Sequence, residues 1–429
     1  MTVTSTVKLA PDPALPYRDV LLEPAAMRDR LAPALGIDMQ AGVGELSVAR
    51  VNYQVGKSLR TVYRADIGGT ERTIAARMFA GAKSGDVYLR SATGAKDVAT
   101  LRGIAHDPEI GAVYWVFPND RKIGSLGAVL DPSTTVPGIG DAPVRKRLVA
   151  YAPEKSATFA CEDSQDVTVA YAKVAAAHQA ERDYNTYSSL RAALAPDNPS
   201  LCLPAPLGYS SAQRTLWLEA LPGRRMAESR GDDEIADLER LGAAVAAFHG
   251  LAMPDVPRFD RFAPEQLAND ASIMRSGRPD AADAIDHLAA RLTATAARVT
   301  YVQACLHGDL HPKNAIIHSD RVALIDVEDA GLGATAADIA SLLAALVYRR
   351  ETGDLSAAAC RARAEAFLVG YRAHRDLPRR ESLAWHTAAA LFVERAARAI
   401  TRVRPLGLEH FPALLATSER LLDRGLEVV

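Results

Sequence analysis

Between residues 303 and 345 the chain sets His307, Gly308 and Asp309 in a row, Asn314 five residues beyond Asp309, and Asp326 at the end of a short apolar run, Val322 to Ile325. Residues of these types at this spacing suit phosphoryl transfer, which needs positioning and charge neutralisation far more than covalent help. A carboxylate at Asp309 can orient an acceptor hydroxyl and take its proton. Asn314 and Asp326 offer the hard oxygen ligands that magnesium prefers while it keeps several waters. Taken singly, each would be an ordinary turn or strand-end residue. Their arrival together and in order carries the reading.

With Leu310 after Asp309, the run matches the H-R-D-L-x-x-x-N catalytic loop of protein kinases, except that Gly308 stands in the place of the Arg. Together with the strand-terminal Asp326 and the later Ala-Ala-Asp338-Ile-Ala, it resembles the catalytic segment of the aminoglycoside phosphotransferase and choline kinase superfamily, the small-molecule branch of the kinase fold. The resemblance covers about residues 144–345. It implies that Asp309 is the catalytic base, that His307 braces the loop, that Asp338 holds the loop from below, and that ATP and Mg2+ are the cofactors. Asn314 and Asp326 would be on the metal. Lys173, on the third strand of the small lobe, would reach the nucleotide phosphates and pair with Glu181 on the next helix. The backbone at Glu219-Ala220-Leu221 would hold the adenine edge. A lysine on an apolar strand needs such a charge partner.

Other positions stay open. The turn Ala152–Ser156, where a kinase covers the phosphates, has no glycine-rich pattern, and Glu154 would sit awkwardly beside phosphates. Glu328 could face the metal, the acceptor or solvent. Glu328, Asp329 and Glu394 are the carboxylates expected to face an acceptor that carries an ammonium group. Trp385 could stack on a sugar or fill the core. Arg395, Arg398 and Arg402 share a helix face that is read as solvated or salt-bridged.

These residues need a scaffold, and its rhythm is legible. Residues from Leu46 alternate as strands, with turns at Gly56 and Gly68-Gly69, through a third strand over 72–79. The pattern returns over 144–175: Tyr53, Lys57 and Ser58 recur as Tyr151, Lys155 and Ser156 at an offset of 98 residues, and Arg77 falls against Lys173 at an offset of 96. Two copies of a three-stranded unit are expected. Helical periodicity follows over 180–194, then two strands to Leu221, then helices to the C-terminus. The expected fold is α+β: a protein-kinase-like bilobal fold, with an antiparallel β small lobe over 141–222 and a helical large lobe over 223–429, preceded by an α/β N-terminal cap over 1–140. The cap is similar to that of maltokinases and glucosamine kinases, although those sugar kinases usually carry Gln at the place of Asn314.

With 48% hydrophobic and 24% charged residues, the chain has the composition of a globular protein. A net charge of -2 and no basic stripe argue against a nucleic-acid partner. The absence of an apolar leader at the start and of any long apolar run argues against a membrane and points to the cytoplasm. Four scattered cysteines make no metal pattern. The expected activity is ATP- and Mg-dependent phosphorylation of a hydroxyl on a small metabolite: a sugar, amino sugar, aminocyclitol or aminoglycoside-like compound. A catalytically silent kinase-like binding or regulatory protein is the alternative. The complete set Lys173, Asp309, Asn314 and Asp326 argues for the enzyme.

Overall fold

A computed structural model describes residues 9–38, 42–140, 143–253, 257–258, 260–297, 299 and 302–429. Strand β1 (Val43–Gln54) turns at Gly56, with φ 69°, into β2 (Ser58–Ile67), which turns at Gly68-Gly69 into β3 (Thr70–Phe79). Both turns need the positive φ that glycine adopts without cost. Helix Lys83–Ala92 follows, then β4 (Ile104–Asp107) and β5 (Ala112–Val116). β5 inserts beside β3, so the antiparallel sheet runs β1-β2-β3-β5-β4.

The chain then does this again. β6 (Arg145–Ala152), β7 (Ser156–Glu162) and β8 (Thr168–Ala175) form a meander, and helix Ala180–Ala193 follows. After the two-residue β9 (Leu201–Cys202) come β10 (Pro206–Ser210) and β11 (Thr215–Glu219), giving the order β6-β7-β8-β11-β10. Arg77 lies opposite Arg60 on the neighbouring strand as Lys173 lies opposite Thr158. The anchoring of the first hairpin also matches. Asp12 accepts hydrogen bonds from the Tyr53 hydroxyl (2.6 Å) and the Gly56 N–H (2.9 Å), while Asp120 accepts from the Tyr151 hydroxyl (2.7 Å) and the Glu154 N–H (2.9 Å).

Because side chains alternate along a strand, each sheet presents two faces with different neighbours. On the first sheet, Val62, Ala75, Val113 and Trp115 pack against Phe159, Ala172, Val174 and Trp217 of the second. Tyr63, Ile74, Ala76 and Tyr114, on the opposite face, belong to the large core that also contains Met27 and Leu31 of helix Pro24–Leu35. The first sheet is thus buried on both sides. The second has its Ala170-Ala172-Val174 face closed by the first and its Lys173 face turned to the large lobe.

The large lobe opens with β12 (Arg224–Arg225) and is mostly helical, with helices Gly231–His249, Thr335–Glu351, Ala357–Arg372 and Phe411–Arg424. Gly242 and Gly370 let two of these helices touch backbone to backbone; a Cβ at either would strike the other helix. Strands β13 (Gln303–Leu306), β14 (Ala315–His318), β15 (Arg321–Leu324) and β16 (Gly331–Ala334) carry the catalytic-type segment. β14 and β15 form a hairpin, and β13 pairs with β16. Helix Pro264–Gly277 also belongs to this lobe. No helix among the described residues is long and apolar enough to cross a membrane.

Candidate active site

The segment 307–314 joins β13 to β14 and is held mainly by buried groups beneath it. Asp338, in the first turn of helix Thr335–Glu351 and fully buried, accepts from the backbone N–H of His307 (2.6 Å) and of Gly308 (3.2 Å). Burial opposes its charge, but the His249 hydrogen bond and the surrounding His249, His307 and Arg261 outweigh burial and hold its carboxyl below the usual range. His249 lies between Asp338 (3.2 Å) and the Tyr371 hydroxyl (2.9 Å), so the support reaches a third helix.

His307 is a brace. Its Nδ1 accepts the Asp309 N–H (3.3 Å), which leaves Nε2 to donate to the Ile325 carbonyl (3.0 Å). Asn314 donates from Nδ2 to the Asp309 carbonyl (3.0 Å), and its own carbonyl accepts the Ile325 N–H (3.0 Å). Asp309, Asn314 and Asp326 are thereby tied through backbone. Gly308, at φ 84°, lies so close to the Asp329 carbonyl that a Cβ would collide with it. Packing therefore explains glycine where protein kinases have arginine. Asp326 itself takes φ 60°, a conformation that costs on the order of 1 kcal/mol or more for a side-chain-bearing residue.

Lys173 crosses from β8 to Asp326 and Glu328, bonding both carboxylates. Burial would lower its pKa, but Tyr187, Glu328 and Asp326 outweigh burial and raise it, so the ammonium is retained. Burial raises the Glu328 carboxyl against the pull of Lys173. The expected Glu181 pair is absent. Glu181 is exposed and accepts from the Tyr209 hydroxyl (3.0 Å), on a different helix face from the buried Asp183 and Tyr187 that Lys173 does influence. Helix spacing sets position 181 about 120° around the helix from 187 and about 160° from 183, and the lysine satisfies its charge across the cleft instead.

The acceptor-side expectations also change. Glu394 is 3% exposed and binds Arg261 (2.9 Å) and the Ser341 hydroxyl (3.0 Å), so it supports Arg261 and does not face a ligand. Trp385 is buried in the core, its indole N–H donating to the Leu292 carbonyl (3.1 Å) and Thr295 hydroxyl (3.0 Å); it offers no open ring for stacking. Asp329 is exposed. Glu219, at the end of β11, accepts the Ala205 N–H through its carboxylate (2.9 Å), and Leu221 lies two residues on, in the segment leading to the large lobe.

Two residues that the sequence reading passed over, Arg261 and His311, converge here with Arg395, which it had placed on a solvated or salt-bridged face. Arg261 lies 3.8 Å from the Asp309 carboxylate and 3.8 Å from Asp338 while holding Glu394. Its loop has no motif to announce it. Arg395, the fifth residue of a π-helical turn Leu391–Ala396, is largely enclosed and donates to the Ser341 carbonyl (3.0 Å); desolvation lowers its pKa to about 10. π-turns are rare and frequent at functional sites. His311 accepts the Lys313 N–H at Nδ1, and burial lowers its pKa to about 4, with Arg395, Lys313 and Arg398 acting in the same direction against Asp309. The second His in His-Gly-Asp-Leu-His was the signal that could have found it.

A family description, the phosphotransferase enzyme family, matches residues 156–377. The chain belongs to that family. This phosphotransferase is a small-molecule kinase with the protein-kinase-like fold, β small lobe before helical large lobe. Its similar solved structures include the spectinomycin phosphotransferase APH(9)-Ia with ADP and spectinomycin (9% identity, 67% of this chain and 95% of that one, TM-score 0.48). The choline/ethanolamine kinase family protein from Mesorhizobium loti is similar too (15%, 69% and 93%, TM-score 0.46). So is the aminoglycoside phosphotransferase APH(3'')-Id from Streptomyces rimosus (20%, 58% and 92%, TM-score 0.41). No curated protein matches the chain.

Proposed function

We propose that this phosphotransferase moves the γ-phosphate of ATP to a hydroxyl of a neutral or anionic polyhydroxyl metabolite, a sugar or sugar acid in class. The observation that carries the choice is the charge around the catalytic loop. Lys313, Arg395 and Arg398 all act on His311, two residues from Asp309, and Glu394 is consumed by Arg261. A polycationic acceptor would meet these positive groups with Glu394 already paired, and like-charge juxtaposition weighs heavily against a partner. Of the sugars, amino sugars, aminocyclitols and aminoglycosides considered from the sequence, the neutral sugars fit best.

Asp309 has the attributes of a general base: half of its side chain is exposed, and its backbone is fixed by His307 and Asn314. It would orient the acceptor hydroxyl and take its proton as the phosphoryl group leaves ADP. Arg261 would keep that carboxylate aimed. Lys173, released from one of its carboxylates, would bind nucleotide phosphates, and the backbone near Glu219 and Leu221 would take the adenine edge. The donor set fits Mg2+. Asp326 is partly exposed beside Glu328, and with the Asn314 amide nitrogen held on Asp309, its amide oxygen is left for a ligand. Among the described residues no three carboxylate, imidazole or thiol groups cluster as a metal site, as suits an ion that takes most of its ligands from phosphates and water. Mg2+ on Asn314 and Asp326 would neutralise phosphate charge.

The test is a screen of neutral sugars, sugar acids, amino sugars and aminoglycosides for ADP formation, repeated on the best acceptor with Asp309→Asn. Turnover should fall about 10²–10⁴-fold in the variant while nucleotide affinity holds. Preference for aminoglycosides over every neutral sugar would contradict the charge argument, and wild-type turnover in Asp309→Asn would remove the base assignment.

A further inference from the structure

A cavity of about 150 Å3 lies where the first sheet, the second hairpin turn and the last helices of the large lobe meet. Its lining includes Arg50 from β1, Arg60 from β2, Lys155 from the turn between β6 and β7, and Arg402 from the end of helix Ala397–Thr401. Among the described residues no carboxylate lines it. Glu154, between the lining residues Pro153 and Lys155, is committed chiefly to other arginines. It binds Arg77 (2.6 Å) and Arg121 (2.7 Å) and lies 3.8 Å from Arg60.

Four cations around one small space repel one another, and the structure offers little to offset them. Among the described residues the Arg402 side chain has one hydrogen bond, to the Val51 carbonyl (3.2 Å). Burial lowers its pKa to about 10, with Arg50, Arg398 and Arg404 adding to the effect and no acid opposing. Arg50 keeps an exposed side chain, and partial desolvation where it lines the cavity lowers its pKa as well. Arg60 keeps a buried Nε–H without an acceptor, although buried donors are nearly always satisfied. Crowded like charges with an unsatisfied guanidinium donor are the features expected of a site built for an oxyanion. Arginines bind phosphate by paired, charge-assisted hydrogen bonds.

We propose that this cavity binds a phosphate-type dianion, either free or as a phosphate monoester, at a site separate from the nucleotide. The ligand would bridge three parts of the molecule: the first sheet through Arg50 and Arg60, the hairpin turn through Lys155, and the large lobe through Arg402. Because Lys155 lies in the turn placed like the phosphate-covering loop of kinases, occupancy would fix that turn relative to the large lobe. The inference does not depend on the identity of the acceptor or on the charge argument above.

The test is calorimetric titration of the whole protein, without nucleotide and at constant ionic strength, with inorganic phosphate and separately with glucose 6-phosphate. At least one should bind saturably. Loss of one charge-assisted contact should weaken binding about ten-fold or more. Arg402→Gln and Arg50→Gln should each show this, and Arg50 is exposed enough for its variant to fold. Lys173→Ala should leave the affinity unchanged. Binding of phosphate alone identifies the free ion as sufficient, and binding of the ester alone identifies a metabolite. Absence of saturable binding by both probes, equal affinity in Arg50→Gln, or loss of binding in Lys173→Ala would each overturn the proposal.

Discussion

Two β units of this phosphotransferase share a strand order and the register of one basic residue, yet their chemistry differs. Lys173 in β8 points into a cleft and meets Asp326 and Glu328 of the large lobe. Arg77 in β3 occupies the corresponding place, but its face is covered by the back of the second sheet. Its guanidinium binds Glu154, from the hairpin turn of the other unit, and stacks over the Phe79 ring with 4.6 Å to the centroid. The carboxylate of Glu154 thus sits where a phosphate would meet the lysine of the second unit. One scaffold has been used once for a site and once for a clasp. What separates them is the neighbour that each strand face receives. Glu154, the residue that made no sense beside a nucleotide, is explained by the same comparison: it faces the arginines of the first unit.

The comparison breaks most readily at its two basic residues. Lys173→Ala removes a preorganised charge from the transfer site and should reduce turnover about 10²–10³-fold, with little loss of stability because the side chain bridges a cleft. Arg77→Ala should do the reverse. It leaves a nearly buried Glu154 with Arg121 as its main partner, and removing one member of such a cluster costs about 3 kcal/mol. Denaturant unfolding and steady-state rates on both variants check this, and equal rate losses would erase the distinction between the units.

Glu154→Gln sharpens the point from the other side. Burial opposes the charge of Glu154, but Arg121 and Arg77 outweigh it and lower its folded pKa. Its contribution to stability is therefore full above the unfolded value of about 4.3 and is lost as pH falls through the lower folded value. Wild-type stability should decline through that acid window, and Glu154→Gln should be less stable at neutral pH, by about 1–3 kcal/mol, with a flatter acid limb. A Gln variant with an unchanged acid limb would show that the clasp is not the titrating element.

Smaller effects bear on the site alone. His311 is held neutral well above its pKa of about 4, so no histidine ionisation from His311 should appear in the pH–rate profile between about pH 6 and 8. A limb near 6.5 that vanishes in His311→Gln would contradict this. Glu181→Ala should change turnover less than about three-fold, since its one described bond is to exposed Tyr209.

Much of this was legible in the sequence, for identifiable reasons. The segment from His307 to Asp338 is a local motif whose residues bond one another over short stretches of chain, so spacing alone conveyed its geometry. The β units were readable because alternation and turn glycines are local signals too. Glu181 and Glu394 were misread because their partners are tertiary: Tyr209 and Arg261 lie far off in sequence, and the same kind of contact, to the Leu292 carbonyl, decides between the two places left open for Trp385. Arg261 was missed for the same cause. The π-turn that rotates Arg395 inward cannot be seen in a periodicity of 3.6 residues per turn. The clasp at Glu154 lay hidden because a sheet's covering neighbour is not written along the strand.

The most direct measurement is the stoichiometry of nucleotide binding. Calorimetric titration of the whole protein with ATP and Mg2+ should give one site per chain, abolished or severely weakened in Lys173→Ala and kept within about three-fold in Arg77→Ala. Two nucleotide sites per chain, or a single site that survives Lys173→Ala and is lost in Arg77→Ala, would contradict the assignment of the two units.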